Sequence, residues 1–169
     1  GTLVMTASGS QVQLWNAFSG TLINTLDHDA PLTSASFNPA STRILTTSGS
    51  SLYIWNASSY QQELAAEYSG PLDHGAWLEN LSRGVRKVLA TSGSTAVVWN
   101  AVNGDLLLEL DHGAPVERVS GSPLGTRILT HGEHVVRVWN ATNGGEVMAV
   151  ELEDPISNTA WESSGGAVL

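Results

Sequence analysis

Leu14-Trp15-Asn16-Ala17 comes back as Ile54-Trp55-Asn56-Ala57, as Val98-Trp99-Asn100-Ala101 and as Val138-Trp139-Asn140-Ala141. The tryptophans stand 40, 44 and 40 residues apart. A period of that size is the signature of a repeat architecture. The phase holds away from the tryptophan as well. Twelve residues after each one stands a carboxylate (Asp27, Glu67, Asp111, Glu151), and sixteen after it a proline (Pro31, Pro71, Pro115, Pro155). Five after it stands Gly20, Gly104 or Gly144, with Tyr60 the exception. Eleven and ten before it lie the apolar pairs Val4-Met5, Ile44-Leu45, Val88-Leu89 and Ile128-Leu129. The 44-residue step comes from Leu78 to Lys87, four residues longer than its counterpart between Phe37 and Trp55. A longer surface turn is expected there, because insertions in surface turns cost little.

Each unit divides into four short strands. In the second unit they are Leu32 to Phe37, Arg43 to Ser48, Ser51 to Trp55 and Gln61 to Ala66. Asn38-Pro39-Ala40-Ser41 is the turn after the first. Gly49-Ser50 closes a tight hairpin after the second, since glycine supplies the positive φ that two-residue turns need. The second strand is the most continuously apolar and is expected to be buried on both faces. The fourth carries more polar positions, as an outer edge strand does. No stretch has a convincing helical period, and strands at this spacing define an all-β chain. Four-stranded antiparallel units of about forty residues, stacked radially, are β-propeller blades.

The chain resembles the WD-repeat family, and the resemblance runs over essentially its whole length. The family's third strand ends in Trp-Asp, where this chain has Trp-Asn. The family's Gly-His dipeptide, before the innermost strand, corresponds to Asp27-His28 and Asp111-His112; the matching positions elsewhere are Glu67-Tyr68 and Glu151-Leu152. The Asp usual in the turn between second and third strands has no counterpart except Glu133. The resemblance therefore implies a propeller whose Ser/Thr, His, Asp and Trp hydrogen-bond network is incomplete, acting as a scaffold or recognition domain for other proteins.

Trp15, Trp55, Trp99 and Trp139 are read as the structural anchors of the repeats. A buried indole removes roughly 150–250 Å² from water and its N–H needs a partner. Phe37, Trp77 and Trp161 share one offset near the end of the first strand, where the third repeat has Gly121. The chain, residues 1–169, is treated as one propeller segment. Leu3-Val4-Met5 falls in the place of a second strand, and so does Ala167-Val168-Leu169. Ile156 to Trp161 falls in the place of a first strand, which the opening unit lacks. About four blades are expected, as part of a longer array or as a ring completed by other copies of the chain.

Composition narrows the partners. With 7 Lys+Arg against 16 Asp+Glu, the net charge is −9. An acidic surface repels phosphate backbones, which argues against nucleic acid and for basic partners. There is no cysteine, so disulfide and thiol chemistry are excluded. No leader-like start and no apolar run near the ~18 residues of a membrane span are visible, so no membrane contact is expected and the cytoplasm is favoured. Asn56-Ala57-Ser58, Asn80-Leu81-Ser82 and Asn140-Ala141-Thr142 match a glycosylation pattern by chance.

Candidate chemistry is thin, and no catalytic residue, metal or cofactor is expected. Asp27-His28-Asp29 and Asp111-His112 are metal-capable residue types, but a site needs three or more converging ligands and these lie in separate units. Turn capping and a hydrogen bond into the blade account for them better. His74, His131 and His134 are candidates only for titration near neutral pH. The Gly-Ser pairs at 9–10, 49–50 and 93–94 precede strands and are hairpins, not phosphate loops. The residues Asp27, His28, Glu67, Tyr68, Asp111, His112 and Glu151 are therefore assigned to a partner face or to inter-blade contacts. Arg43, Lys87 and Arg127 stand twelve before their tryptophans, mirroring the carboxylates. Two expectations follow: ion pairs between neighbouring blades, or an acidic ring set for a partner. Two functions remain: a non-catalytic interaction scaffold, or a self-assembly module whose blades complete a ring or filament. They differ in where exposed apolar surface lies, on the blade edges for assembly and on the loop face for partner binding.

Overall fold

A computed structural model describes residues 1–80 and 84–162. Fifteen strands and no helix occur among them, arranged as four antiparallel sheets in chain order. The first sheet holds β1 (Leu3–Ser8), β2 (Gln11–Asn16) and β3 (Leu22–Asp27). The second holds β4 (Leu32–Phe37), β5 (Arg43–Ser48), β6 (Ser51–Asn56) and β7 (Gln62–Glu67). The third holds β8 (Gly75–Asn80), β9 (Val85–Ser92), β10 (Thr95–Asn100) and β11 (Leu106–Asp111). The fourth holds β12 (Arg118–Gly121), β13 (Arg127–His131), β14 (Val135–Asn140) and β15 (Glu146–Glu151). In each, successive strands are neighbours, as in an up-and-down blade. The fold is all-β and propeller-like, and the sheets do not close into a ring.

The strand assignments follow the expected pattern within a residue. The second strand of the unit is buried through β5, with Ile44 and Leu45 both at 0% exposure, while β7 alternates and leaves its carboxylates in water. The Trp-Asn pair ends each third strand for a local reason. Asn16 Oδ1 accepts the N–H groups of Phe18 and Ser19, and Asn56 and Asn140 do the same two and three residues on. These Asx turns satisfy backbone donors and turn the chain into the fourth strand. The residue five after Trp closes the turn at positive φ: 69° at Gly20, 79° at Gly104, 73° at Gly144 and 62° at Tyr60. Tyr60 thus keeps the backbone shape of the glycines despite its side chain, which packs against the first core cluster.

Three clusters join the four sheets. Val12, Leu14 and Leu26 of the first pack with Ile44 and Ala57 of the second. Leu45, Leu52, Ile54 and Leu64 then meet Val88, Val97 and Trp99 of the third. Leu78, Leu89, Ala96 and Leu110 meet Ile128 and Trp139 of the fourth. Each buried Leu, Ile or Val contributes roughly 1.5–3 kcal/mol relative to exposure. No cluster among the described residues joins the fourth sheet to the first. The anchors accordingly differ: Trp99 and Trp139 are buried, whereas Trp55 and Trp15 are only partly so.

The four extra residues do more than lengthen a turn. The β8–β9 ladder continues through Leu78↔Lys87, Glu79↔Arg86 and Asn80↔Val85. In the second sheet Asn38 ends this ladder, its Oδ1 accepting from Thr42 and Arg43 N–H, and Ser122 Oγ does the same for Thr126 and Arg127. Leu78 replaces that capping residue and cannot accept, so the strands run on. It is 1% exposed and lies where a side chain on residue 121 would sit: a Cβ on Gly121 would be 2.4 Å from Leu78 Cδ1. The insertion and the missing aromatic at 121 are one packing solution. Residues 81–83, with part of the Asn80-Leu81-Ser82 pattern, and Ala167-Val168-Leu169 lie outside the described residues.

Candidate functional site: the loop rim and the inter-sheet histidines

The hairpins give each sheet two distinct rims. Ser8 pairs with Gln11 and Gln11 with Asp27; Ser48 pairs with Ser51 and Ser51 with Glu67; Thr95 pairs with Asp111 and Val135 with Glu151. All four carboxylates therefore stand on one rim, with the loops that lead into the next sheet. Arg43, Lys87 and Arg127 pair with Asn56, Asn100 and Asn140, at the opposite rim. The ion pairs expected between the two series do not form, because a strand's length separates them. Arg43 Nε instead meets Glu63 at 2.7 Å, Lys87 Nζ donates to the Ala141 carbonyl, and Arg127 Nη1 donates to the Thr126 carbonyl. Burial lowers the Lys87 pKa.

Asp27, Glu67, Asp111 and Glu151 are exposed, and Asp29, Glu133, Glu153 and Asp154 are exposed beside them. None of the four repeated carboxylates pairs with a Lys or Arg among the described residues. Their partners are local: Gln11 Nε2 donates to Asp27 at 2.8 Å, and the Gly113 N–H donates to Asp111. What this rim can do chemically is attract cations from solvent. Among the described residues no group of three or more His, Asp or Glu could hold a metal ion.

The histidines next to two of these carboxylates point the other way, into the inter-sheet junctions. His28 Nε2 lies 2.8 Å from Thr46 Oγ1, which also accepts from Trp55 Nε1 at 3.1 Å. His28 further stacks edge-on against Tyr53 and Trp55. In the fourth sheet His112 Nδ1 lies 2.9 Å from Thr130 Oγ1, which accepts from Trp139 Nε1 at 2.9 Å. Two sheets thus hold a Trp–Thr–His chain, with no carboxylate hydrogen-bonded to either histidine among the described residues. The first sheet has the Trp15–Thr6 bond alone. In the third, Ala90 stands where Thr46 and Thr130 do, and Tyr68 replaces the histidine. Tyr68 lies edge-on to Trp99 and sends its hydroxyl to Glu109 at 2.7 Å. That bond to Glu109 is the main reason its pKa is raised. The two substitutions go together: without a hydroxyl to receive it, a buried imidazole would lose its partner. The threonine recurs nine residues before three of the four tryptophans, as Thr6, Thr46 and Thr130, a repeat position legible in the sequence.

Burial lowers the pKa of His28, His74 and His112, with Arg137 and His131 adding to the effect at His112 and Arg118 and His131 at His74. His74 lies just before β8, and its carbonyl accepts from Thr91 N–H. His112 and His131 are 1% and 2% exposed, and each leaves its Nε2 without a hydrogen-bond partner. Glu133 and His134 form a contact of 3.8 Å in the hairpin turn.

Residues 20–56 match the family model described as WD domain, G-beta repeat. The antiparallel sheets, three of four strands and one of three, are consistent with WD-repeat blades. No curated protein gives a significant match to the chain. WD repeats generally mediate contacts between proteins, and their domains are in general non-catalytic scaffolds. Among the described residues no helix is long and apolar enough to cross a membrane.

Proposed function

We propose that this chain, taken as one WD-repeat segment over residues 1–169, is a non-catalytic protein-recognition module that takes a basic partner on its loop rim. The observation behind this is the placement of Asp27, Glu67, Asp111 and Glu151: one offset, one rim, all exposed, with no basic side chain of the described residues paired to them. Charges gathered on one face steer an oppositely charged partner and raise its rate of encounter. His28, His112 and Tyr68 hold the sheets beneath that rim and take no direct part. The same field disfavours nucleic acid. The test uses a fluorescent Lys/Arg-rich peptide and two quadruple variants. One changes Asp27, Glu67, Asp111 and Glu151 to their amides; the other does so at Glu63, Glu79, Asp105 and Glu146, away from the rim. Binding should be lost in the first and kept in the second. Equal loss in both would reduce the effect to net charge and sink the assignment.

A second reading is self-assembly, and it rests on where apolar side chains reach water. Val4, Leu22, Ile23, Leu106, Leu107 and Val147 are exposed on strands, while Phe18 and Val102 are exposed in the turns of the rim opposite the repeated carboxylates. Leu152 is the exposed apolar residue nearest the acidic carboxylates.

A further inference from the structure

Of the three basic residues that stand twelve before a tryptophan, Arg43 alone pairs with a carboxylate among the described residues. Its partner is Glu63, eight residues after Trp55. The other units have Ile23, Leu107 and Val147 at that offset. We infer that the basic residue left uncompensated in the third sheet, Lys87, is a site of covalent acylation, its side-chain amine taking a short acyl group from an acyl phosphate.

Lys87 is the only lysine in the chain. It pairs with Asn100 across the β9–β10 ladder, and Leu107 of β11 stands where Glu63 stands in the second sheet. Without that carboxylate, Lys87 Nζ crosses to the fourth sheet and donates to the Ala141 carbonyl. No Asp or Glu of the described residues forms an ion pair with it, and residues 81–83, close by in the chain, are Leu, Ser and Arg. Half-burial of an ammonium without a counter-ion favours the neutral amine, and the Lys87 pKa is lowered for that reason. Desolvation of this kind is one way a lysine becomes a nucleophile at neutral pH. One N–H given to a carbonyl leaves the lone pair of the neutral amine free to attack.

A seat for the donor lies beside it. Lys87 and Arg86 line one pocket of about 320 Å³ with Asn100, Val102, Leu107 and Thr142. Arg86 is exposed. Glu79, opposite Arg86 in the β8–β9 ladder, accepts instead from Asn38 Nδ2 at 3.0 Å, and among the described residues no carboxylate pairs with the Arg86 guanidinium. A guanidinium takes a phosphate through two parallel N–H bonds. Val102 and Leu107 give a short acyl chain an apolar wall. The β9–β10 and β10–β11 registers put this pocket at the rim opposite Asp111, so an anionic donor approaches it away from the acidic loops.

The transfer needs no further reactant. The Nζ lone pair attacks the acyl carbon and an N–C bond forms. The C–O bond to phosphate breaks, and phosphate leaves with the bonding pair. The proton lost by the nitrogen goes to solvent, and the product is a neutral amide. The charge that links β9 to the turn after β14 is then gone, which is what acylation of a lysine does to any contact it holds.

Because the chain has one lysine, peptide mass mapping reads a single side-chain amine. The folded protein is incubated near neutral pH with acetyl phosphate, beside Nα-acetyl-lysine amide as a reference amine. Lys87 should be acetylated several times faster than the reference, and urea should abolish the advantage. In Arg86→Gln the rate should fall about tenfold with acetyl phosphate, the worth of a charge-assisted hydrogen bond. With the uncharged donor p-nitrophenyl acetate the same variant should react as fast as the unmodified chain. Lys87 reacting no faster than the reference amine with either donor would overturn the proposal. An equal fall with both donors in Arg86→Gln would remove the phosphate seat and with it the acyl phosphate as donor.

Discussion

Gly121→Ala is the smallest change that tests how the third and fourth sheets fit. The added Cβ would lie 2.4 Å from Leu78 Cδ1, 2.9 Å from its Cβ and 3.0 Å from its Cα. The side-chain end can rotate away, but Cβ and Cα move only with the backbone of β8. Overpacking of this kind costs about 1–3 kcal/mol. Leu78→Ala alone vacates a site that is 1% exposed and should cost about 2–5 kcal/mol. The double variant puts a methyl into the space that Leu78 leaves, so its loss should be smaller than the sum by about 0.5–3 kcal/mol, the range for touching residues. Urea unfolding of all four proteins, followed by tryptophan fluorescence, reads these differences through the transition midpoints at unchanged slope. A neutral Gly121→Ala, or strict additivity in the double variant, would refute the claim that Leu78 occupies the place of the missing side chain.

Thr130→Val removes the hydroxyl shared by His112 and Trp139 while keeping its shape. Two buried polar groups lose a partner, so the chain should lose about 1–3 kcal/mol. Thr6→Val, at the exposed first sheet, should lose less; thermal melts of the two variants compare them. Stability should also fall as pH drops from neutral into the acid range. His28, His74 and His112 are held below the ordinary 6.5 in the folded chain. Their contribution is therefore complete above the unfolded value and is lost as pH falls from there through the folded values. Urea midpoints between neutral pH and the onset of carboxylate titration check the sign, and His112→Gln should flatten the slope.

Much of the fold was legible because its determinants are local and repeated. Trp-Asn fixes the end of the third strand through an Asx turn, and the Gly-Ser pairs fix the hairpins. Tyr60 broke the glycine pattern on paper but not in space, since the turn imposes positive φ on whatever residue stands there. From the sequence the insertion reads as a turn alone, because what its first residue packs against lies in another sheet: Leu78 matters through Gly121, 43 residues away. The carboxylate and basic series looked paired because both stand twelve residues from a Trp. Strand direction decides the matter, placing one series at each rim. The histidines show the same limit, for adjacency to Asp27 or Asp111 says nothing about which way a ring turns.

The three inter-sheet clusters carry a consequence for how these sheets come apart. Each sheet touches only its neighbours in the chain, so its persistence depends on the neighbours it has. Among the described residues the second and third sheets share a cluster with a neighbour on each side, and the three-stranded first sheet shares one with the second alone. Unfolding should therefore proceed by fraying. Amide protons of β1 should exchange with solvent first and those of β9 and β10 last, in a gradient along the array.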